Sequence, residues 1–337
     1  MAKDRALINH AVDFISSGGS PARALLKANM NPGVLRTNDV LRKEEWQQLD
    51  EALVGVARQR LIGIGDLKSR GLVENLGGLG TIISQYEQLG DMSAANVDYA
   101  GVTDGEKDSV TFTLVGVPVP IIHKNFTIDI RRLAASRGAN AVGAPIDRTQ
   151  IETAAQKVTE QMEEILFNGD AGGKVQSGAG VTTQNELLGY FNAPDVNSVS
   201  GSDWGTAANV TTDVIAAIDK NEADKYFGPW VLYVSTTQYG QLRAFFTDGS
   251  GDQVFDRLKR LNGLEDARPG DRLSDGRAVL VTMRRDVIDL AVGQDLTVVE
   301  WETKGGMQIN FKVFSAMAPR PKSDSADGSG ICKLTGI

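Results

Sequence analysis

The chain has 337 residues, 41% hydrophobic and 23% charged, a balance typical of a globular protein long enough for two domains and not of a disordered one. The formal net charge of -8 argues against a protein whose main task is to grip nucleic acid through phosphate contacts. Cys332 is the single cysteine, which excludes an intramolecular disulfide and a structural thiolate zinc site within one chain. Charged residues interrupt the N-terminal apolar stretch and no segment reaches membrane-spanning length, so the sequence predicts a soluble chain that is not exported.

Residues 1–40 are predicted to form an N-terminal arm rather than a core element. A short amphipathic helix pattern ends at the Ser- and Gly-rich stretch 16–21, and little apolar periodicity follows it. A second helix pattern occupies 41–65, where repeated glycines after Leu61 predict that regular core structure stops. Arms of this kind usually embrace a partner, so we expect the arm to contact another chain.

Residues 66–122 are predicted to form an extended two-stranded loop. Strand patterns at 81–89 and 109–122 flank the polar stretch 90–108. Because a two-stranded hairpin cannot bury a core alone, we expect it to lie against another surface, in an assembly the surface of a neighbouring subunit. The predicted contact residues are its alternating apolar positions Val110, Phe112 and Leu114.

The stretch 147–169 is predicted to be one long helix. Asp147 and Gln150 form an N-cap with a capping-box partner, and Asn168-Gly169 is typical of a left-handed C-terminal stop. Apolar residues recur at steps of three and four, within an arc of about 120°. These residues are Ile151, Ala155, Val158, Met162 and Ile165.

The same helix carries three carboxylates, Glu160, Glu163 and Glu164, on the side opposite the apolar stripe. An acidic metal or active site would need converging ligands from other elements, whereas a charged helix face needs only water or a neighbouring subunit. We therefore expect a solvent-facing or subunit-facing surface. Arg131 and Arg132 are predicted to meet an acidic face of a neighbour, with a solvated helix end as the alternative.

No motif in the sequence predicts catalysis. The glycines before Lys174 lack the spacing of a phosphate-binding loop, and the Asp-rich stretches 248–252 and 324–330 lack the Glu that completes a calcium loop, so turns are expected. His10 and His123, the only histidines, are far apart in sequence and suggest no triad. We therefore predict no enzyme activity, no cofactor and no metal. An enzyme with a carboxylate site on the long helix is a weaker alternative.

Alternating strand and helix patterns over 206–298 predict a second α/β domain, and strand patterns return in 299–337. The order of elements and several local strings resemble the major capsid proteins of tailed bacteriophages with the Hong Kong 97 fold, which encapsulin shells share. The resemblance covers roughly residues 38–337 and is strongest over 117–196. It lies in "VPVPIIHKNFTIDIRRLAASR", "APIDRTQIETAAQKVTEQMEEILFNG", "GYFNAPDV" and the strand-rich end "FSAMAPRPKSD...GICKLTGI".

The resemblance implies an α+β fold with an N-terminal arm, an extended β-hairpin loop and a long spine helix. It also implies a peripheral domain, made of 123–205 and the C-terminal strands 299–337, and an axial domain over 206–298. Residues 41–65 would supply a helix of the peripheral domain. Lys68 and Lys107 match no crosslinking motif, so no crosslink is predicted.

The function that the resemblance implies is a structural subunit that assembles, as pentamers and hexamers, into an icosahedral phage head. Such a head encloses double-stranded DNA without sequence-specific binding, is assembled in the bacterial host cytoplasm and forms the virion capsid. Scaffold, portal and decoration proteins would be further partners, and no membrane is involved. The alternative is an encapsulin-type compartment around a cargo enzyme; the N-terminal arm and the chain length favour the phage head.

Overall fold

A computed structural model describes residues 61–90, 109–110, 112–136, 146–169, 187–246, 251–324 and 327–337, with positions 92–95, 97 and 99. The helices are α1 (Gly63–Ser69), α2 (Ile130–Ser136), α3 (Ile146–Asn168), α4 (Ala207–Ala223), α5 (Thr236–Gln241) and α6 (Val254–Lys259). The strands are β1 (Val73–Asn75), β2 (Ile83–Leu89), β3 (Phe112–Pro118), β4 (Ile121–Asp129), β5 (Asn197–Ser200), β6 (Trp230–Val234), β7 (Leu264–Pro269), β8 (Arg277–Thr282), β9 (Ile288–Thr303), β10 (Gln308–Pro321) and β11 (Ile331–Thr335). The predicted arm 1–40 and most of 41–65 lie outside the described residues.

The helix α3 lies on a four-stranded sheet of order β1-β9-β10-β4. The long strands β9 and β10 pair antiparallel, and β4 pairs with β10 only as far as Ala316. Pro319 and Pro321 occur beyond that point, where β10 has no β4 ladder to interrupt. This sheet and α3 enclose the larger of the hydrophobic cores.

The prediction of a single long helix over 147–169 is confirmed, since α3 begins and ends within one residue of the predicted bounds. Every residue of the predicted stripe is buried, and Ile151 and Ala155 have no exposed surface. Gly169 has φ 68°, the left-handed conformation expected of the helix stop. A Cβ at Gly169 would also lie 2.2 Å from the Asn192 side chain, so the position requires glycine for space as well.

A five-stranded sheet of order β5-β11-β8-β6-β7 forms the second layer. Its central strands are buried on both faces: Val231 and Tyr233 of β6 join the core beneath α3, while Leu232 and Val234 join a second core with α4 and α6. The two sheets therefore share a hydrophobic core through β6 and β8.

The predicted division of the chain assigned 299–337 to one peripheral domain together with 123–205, and within 299–337 the strand β11 does not lie in the four-stranded sheet with β9 and β10. Instead, β11 pairs antiparallel with β8 and parallel with β5 in the five-stranded sheet. Similarly, β9 begins inside the predicted domain 206–298 but belongs to the four-stranded sheet. The physical reason is that alternation of apolar residues identifies a strand but does not specify its pairing partner.

A second difference concerns 63–69, where the sequence predicted an end to regular structure but the chain forms α1. The glycine at 63 permits close approach to α3, because a Cβ there would lie 2.7 Å from Leu166 Cδ2. Ile64 and Leu67 are buried in the main core. The predicted loop boundary at 66 thus falls within a helix, and the described chain remains packed on the first sheet through β1.

The predicted two-stranded loop is present as the antiparallel pair β2–β3, in register from Ile83 opposite Pro118 to Leu89 opposite Phe112. Most of the polar tip 90–108 lies outside the described residues. Among the helices that the structure describes, none is long and apolar enough to cross a membrane.

Cys332 is predicted to be unreactive in the native protein. Burial is the main cause that raises the pKa of its thiol to about 12, and the side chain has no exposed surface. Because the thiolate is the nucleophile, we expect negligible labelling by a thiol reagent at neutral pH in the native protein and complete labelling in denaturant. Rapid labelling of the native protein would show that β11 does not lie in the five-stranded sheet as described.

Candidate subunit-contact surface

The β2–β3 hairpin has two chemically different faces. Residues directly opposite each other in an antiparallel pair point to the same side, so the register assigns alternate residues of both strands to each face. The side that carries Ile83, Glu87, Phe112 and Leu114 is called the outer face. The inner face carries Ser84, Tyr86, Gln88, Val115 and Val117.

The outer face exposes large apolar side chains. Phe112 is 66% exposed, Leu114 is 59% exposed and Ile83 is 52% exposed. Several exposed apolar residues on one face are typical of an interaction site, because each leaves apolar area in water that a partner would bury. Phe112 and Leu114 are thus placed as a contact surface requires, while their contact with a neighbouring subunit stays a prediction.

The inner face is attached to the body of the subunit near the end of β10. The Gln88 side-chain amide donates to the carbonyls of Ser323 at 3.1 Å and Asp324 at 2.6 Å. Ser84, only 2% exposed, accepts a 2.7 Å hydrogen bond from Arg320 Nη1, and Val117 is 1% exposed. These contacts attach the hairpin to the body of the subunit through its inner face.

Three other predicted contact residues lie just before β3 and on α2. Val110 is half-buried just before β3, and Arg131 and Arg132 are exposed on α2. Both arginine side chains are therefore accessible to a partner. Their pairing with an acidic face of a neighbour stays a prediction.

The prediction was wrong for Glu163, which does not face solvent. It is 4% exposed, and its carboxylate accepts backbone N–H groups from Gly63 at 3.3 Å and from Ile64 at 3.1 Å. The helical pattern of α3 reveals the apolar stripe but not a second element on its other side, and α1 occupies that side. Glu163 joins α1 to α3 inside the subunit and is not available as a subunit contact.

The neighbouring carboxylates also have partners within the subunit. Glu160 accepts from Lys157 at 2.9 Å and from Gln156 at 3.0 Å, and it lies 3.6 Å from Arg272. Burial opposes ionisation of Glu160, but these hydrogen bonds outweigh it and lower the pKa. Glu164 accepts from Asn168 at 3.1 Å. Both remain partly exposed, so a subunit contact there is still a prediction.

A polar cluster beside Glu163 joins α1 to the five-stranded sheet. The Tyr233 hydroxyl of β6 donates to Asp66 at 2.7 Å, and Arg268 of β7 pairs with the same carboxylate. Tyr233 also stacks on Tyr190 with ring centroids 6.1 Å apart. Among the described residues, no group of three or more His, Cys, Asp or Glu side chains is arranged to hold a metal ion.

The pKa of Glu163 is raised to about 8, mainly by burial; the two backbone N–H groups oppose this shift, and the nearby carboxylates of Asp66 and Asp271 add to it. The folded protein therefore keeps the Glu163 proton up to about pH 8, whereas the unfolded chain releases it near 4.5. The resulting stabilisation is complete below pH 4.5 and is lost as pH rises through 8, with a slope of at most ~1.4 kcal/mol per pH unit.

We predict that the melting temperature of the wild-type protein falls between pH 4.5 and 8 and that Glu163→Gln, which cannot ionise, removes this contribution. Glu164→Gln is the matched control, because it changes the adjacent carboxylate and retains Glu163. Thermal unfolding of the three proteins across this pH range measures the difference. A Glu163→Gln profile parallel to that of the wild type would contradict the assignment of a protonated, buried Glu163.

Known structures share this fold. The virus-like particle from Pyrococcus furiosus superimposes with a TM-score of 0.61 at 16% identity, over 86% of this chain and 99% of that chain. The capsid of Myoviridae phage XM1 superimposes with a TM-score of 0.57 at 15% identity, over 79% of this chain and 89% of that chain. The predicted α+β fold of the Hong Kong 97 type is confirmed.

Sequence comparison identifies the family. Residues 34–318 match the Linocin_M18 family, described as the encapsulating protein for peroxidase, and the chain belongs to this family. It is 27% identical to the type 1 encapsulin shell protein EncA of Myxococcus xanthus over 303 residues, 88% of this chain and 94% of that protein. It is 24% identical to the diheme-cytochrome-encapsulin shell fusion protein of Kuenenia stuttgartiensis, over 87% of this chain and 73% of that protein. The relatives are thus encapsulin shells, which favours the alternative of the sequence analysis over the phage head.

Proposed function

We propose that this chain is the structural subunit of a closed, encapsulin-type compartment that encloses a cargo enzyme. The structural observation that carries the proposal is the hairpin with one attached inner face and one uncovered apolar outer face. A surface of that kind on each of many identical subunits can form repeated heterologous contacts, which close when the rotation between neighbouring subunits permits closure. Family membership and the names of the relatives support a cargo protein rather than packaged DNA as the content.

The phage-head interpretation shares the fold but lacks a further observation in its favour, because the phage capsids resemble this chain at the level of the fold. The two interpretations differ in what the particle contains. We expect particles purified from the native source to be closed, to carry a stoichiometric second protein and to contain no nuclease-protected double-stranded DNA. Electron microscopy, protein mass spectrometry and the ratio of absorbance at 260 and 280 nm measure these properties.

The outcomes of this experiment are distinct. Closed particles filled with protected DNA would restore the phage-head interpretation and overturn the cargo proposal. A protein that stays monomeric under all assembly conditions would overturn the shell itself.

Introducing a charge on the outer face should prevent assembly without unfolding the subunit. We predict that Leu114→Asp raises the subunit concentration needed for assembly by at least about tenfold, because burying a leucine contributes roughly 1.5–3 kcal/mol and about 1.4 kcal/mol corresponds to tenfold. Thr113→Asp is the matched control, since it places the same charge on the next residue of β3 but on the inner face. Light scattering against concentration measures assembly, and circular dichroism measures folding.

Equal assembly of wild type and Leu114→Asp would show that the outer face contacts no neighbour. A larger defect in Thr113→Asp than in Leu114→Asp would show that attachment of the hairpin to the body, and not burial of the outer face by a neighbour, limits assembly.

A further inference from the structure

Arg320 is a fully buried arginine at the base of the hairpin, with no exposed side-chain surface. It lies on β10 directly opposite Asp289 of β9, and the two form a bidentate pair: Nε donates to Oδ1 at 2.6 Å and Nη2 donates to Oδ2 at 2.5 Å. Nη2 also pairs with Glu74 of β1. Lys322 adds a second cation, 2.7 Å from Asp289.

The third nitrogen of the Arg320 guanidinium, Nη1, forms its hydrogen bonds with the hairpin. Nη1 donates to the Ser84 hydroxyl at 2.7 Å and to the Gln85 carbonyl at 3.5 Å. The guanidinium carbon lies 5.9 Å from the centre of the Tyr86 ring. One planar group therefore joins β1, β9 and β10 of the body to β2 of the hairpin.

The hydrogen bonds of Arg320 fix the orientation of the hairpin more than they stabilise the folded subunit. A buried ion pair is often no more stabilising than apolar residues of similar volume, because both charges lose their hydration. The guanidinium, however, is a rigid plane whose donors leave at fixed angles, so satisfying Asp289, Glu74 and Ser84 together admits one orientation of β2 relative to β10. An apolar residue at position 320 would pack but would not specify that orientation.

The orientation of the hairpin determines where its outer face meets a neighbouring subunit. The hairpin is attached by its inner face near the end of β10, and its exposed apolar residues lie on the other side. A small rotation at this base displaces the far end of β2 and β3 and changes the angle between adjacent subunits. That angle, repeated over all copies, sets the curvature at which a shell closes.

We propose that Arg320 is a positioning residue that fixes the exit direction of the β2–β3 hairpin, so that the shell closes at one size. This inference rests on the proposed function, since it concerns the geometry of the assembled shell. It assigns to Arg320 a role in assembly that is separate from the stability of the subunit.

Three variants test the proposal. Arg320→Lys keeps the positive charge but cannot satisfy the three acceptors with one plane. The double variant Ser84→Ala with Gln88→Ala leaves all charges in place and removes hydrogen bonds only between hairpin and body. Arg284→Lys is the control, because it makes the same exchange in the exposed pair with Asp286, away from the hairpin.

Particle diameters from electron microscopy and the melting temperature of each variant are the measurements. We expect the double variant to stay folded and to lose less melting temperature than Arg320→Lys, while its fraction of particles outside the wild-type diameter class rises several-fold. Arg320→Lys should show the same broadening or a new diameter, and Arg284→Lys should match the wild type in both measurements.

A diameter distribution that is unchanged in the double variant overturns the proposal, whether or not Arg320→Lys folds. A lower melting temperature in Arg320→Lys with wild-type diameters in both variants would show that the cluster only stabilises the subunit, which also overturns it. Both of these outcomes require that the wild-type protein forms closed particles. If the wild-type protein itself forms no closed particle, the proposed function is wrong instead.

Discussion

A two-stranded hairpin is too small to bury a core by itself and needs another surface to pack against, and this constraint connects the fold of the protein to its assembly. The inner face of β2–β3 is attached through Ser84 and Gln88, which leaves the apolar outer face in water. Exposed apolar side chains are unfavourable for an isolated subunit, and their burial at a subunit contact is favourable. The subunit can therefore fold as described and still expose an apolar surface that a neighbouring copy would bury. Such a surface favours self-assembly.

The features that the sequence predicted correctly depend on local pattern. The stripe from Ile151 to Ile165 follows from the helical repeat, and the hairpin strands follow from alternating residues between turn signals. Glu163 shows the limit of such patterns, because a helix with neighbours on two sides buries two stripes. Thr159, four residues earlier on the same side of α3, is also completely buried. Thr159 and Glu163 thus form a second buried stripe, but polar residues at helical spacing are typical of a solvent-exposed face, so the sequence pattern does not reveal it.

Features that depend on contacts between distant parts of the chain cannot be predicted without knowing which strands pair. Arg320 and Asp289 each interrupt an apolar strand, and opposite charges in two such strands indicate that the strands pair in the interior. Their alignment also requires the register of β9 with β10, which alternation alone does not specify. The same limitation applies to β11, whose residues Cys332 and Leu334 are typical of a buried strand in either sheet.

The most direct measurement of the central claim is a near-atomic electron cryomicroscopy reconstruction of the particle formed by the purified wild-type protein. It should show a closed shell in which Ile83, Phe112 and Leu114 are buried by an adjacent copy, while Ser84 and Gln88 keep their contacts to the same subunit. A closed shell in which this outer face remains exposed to solvent would contradict the account.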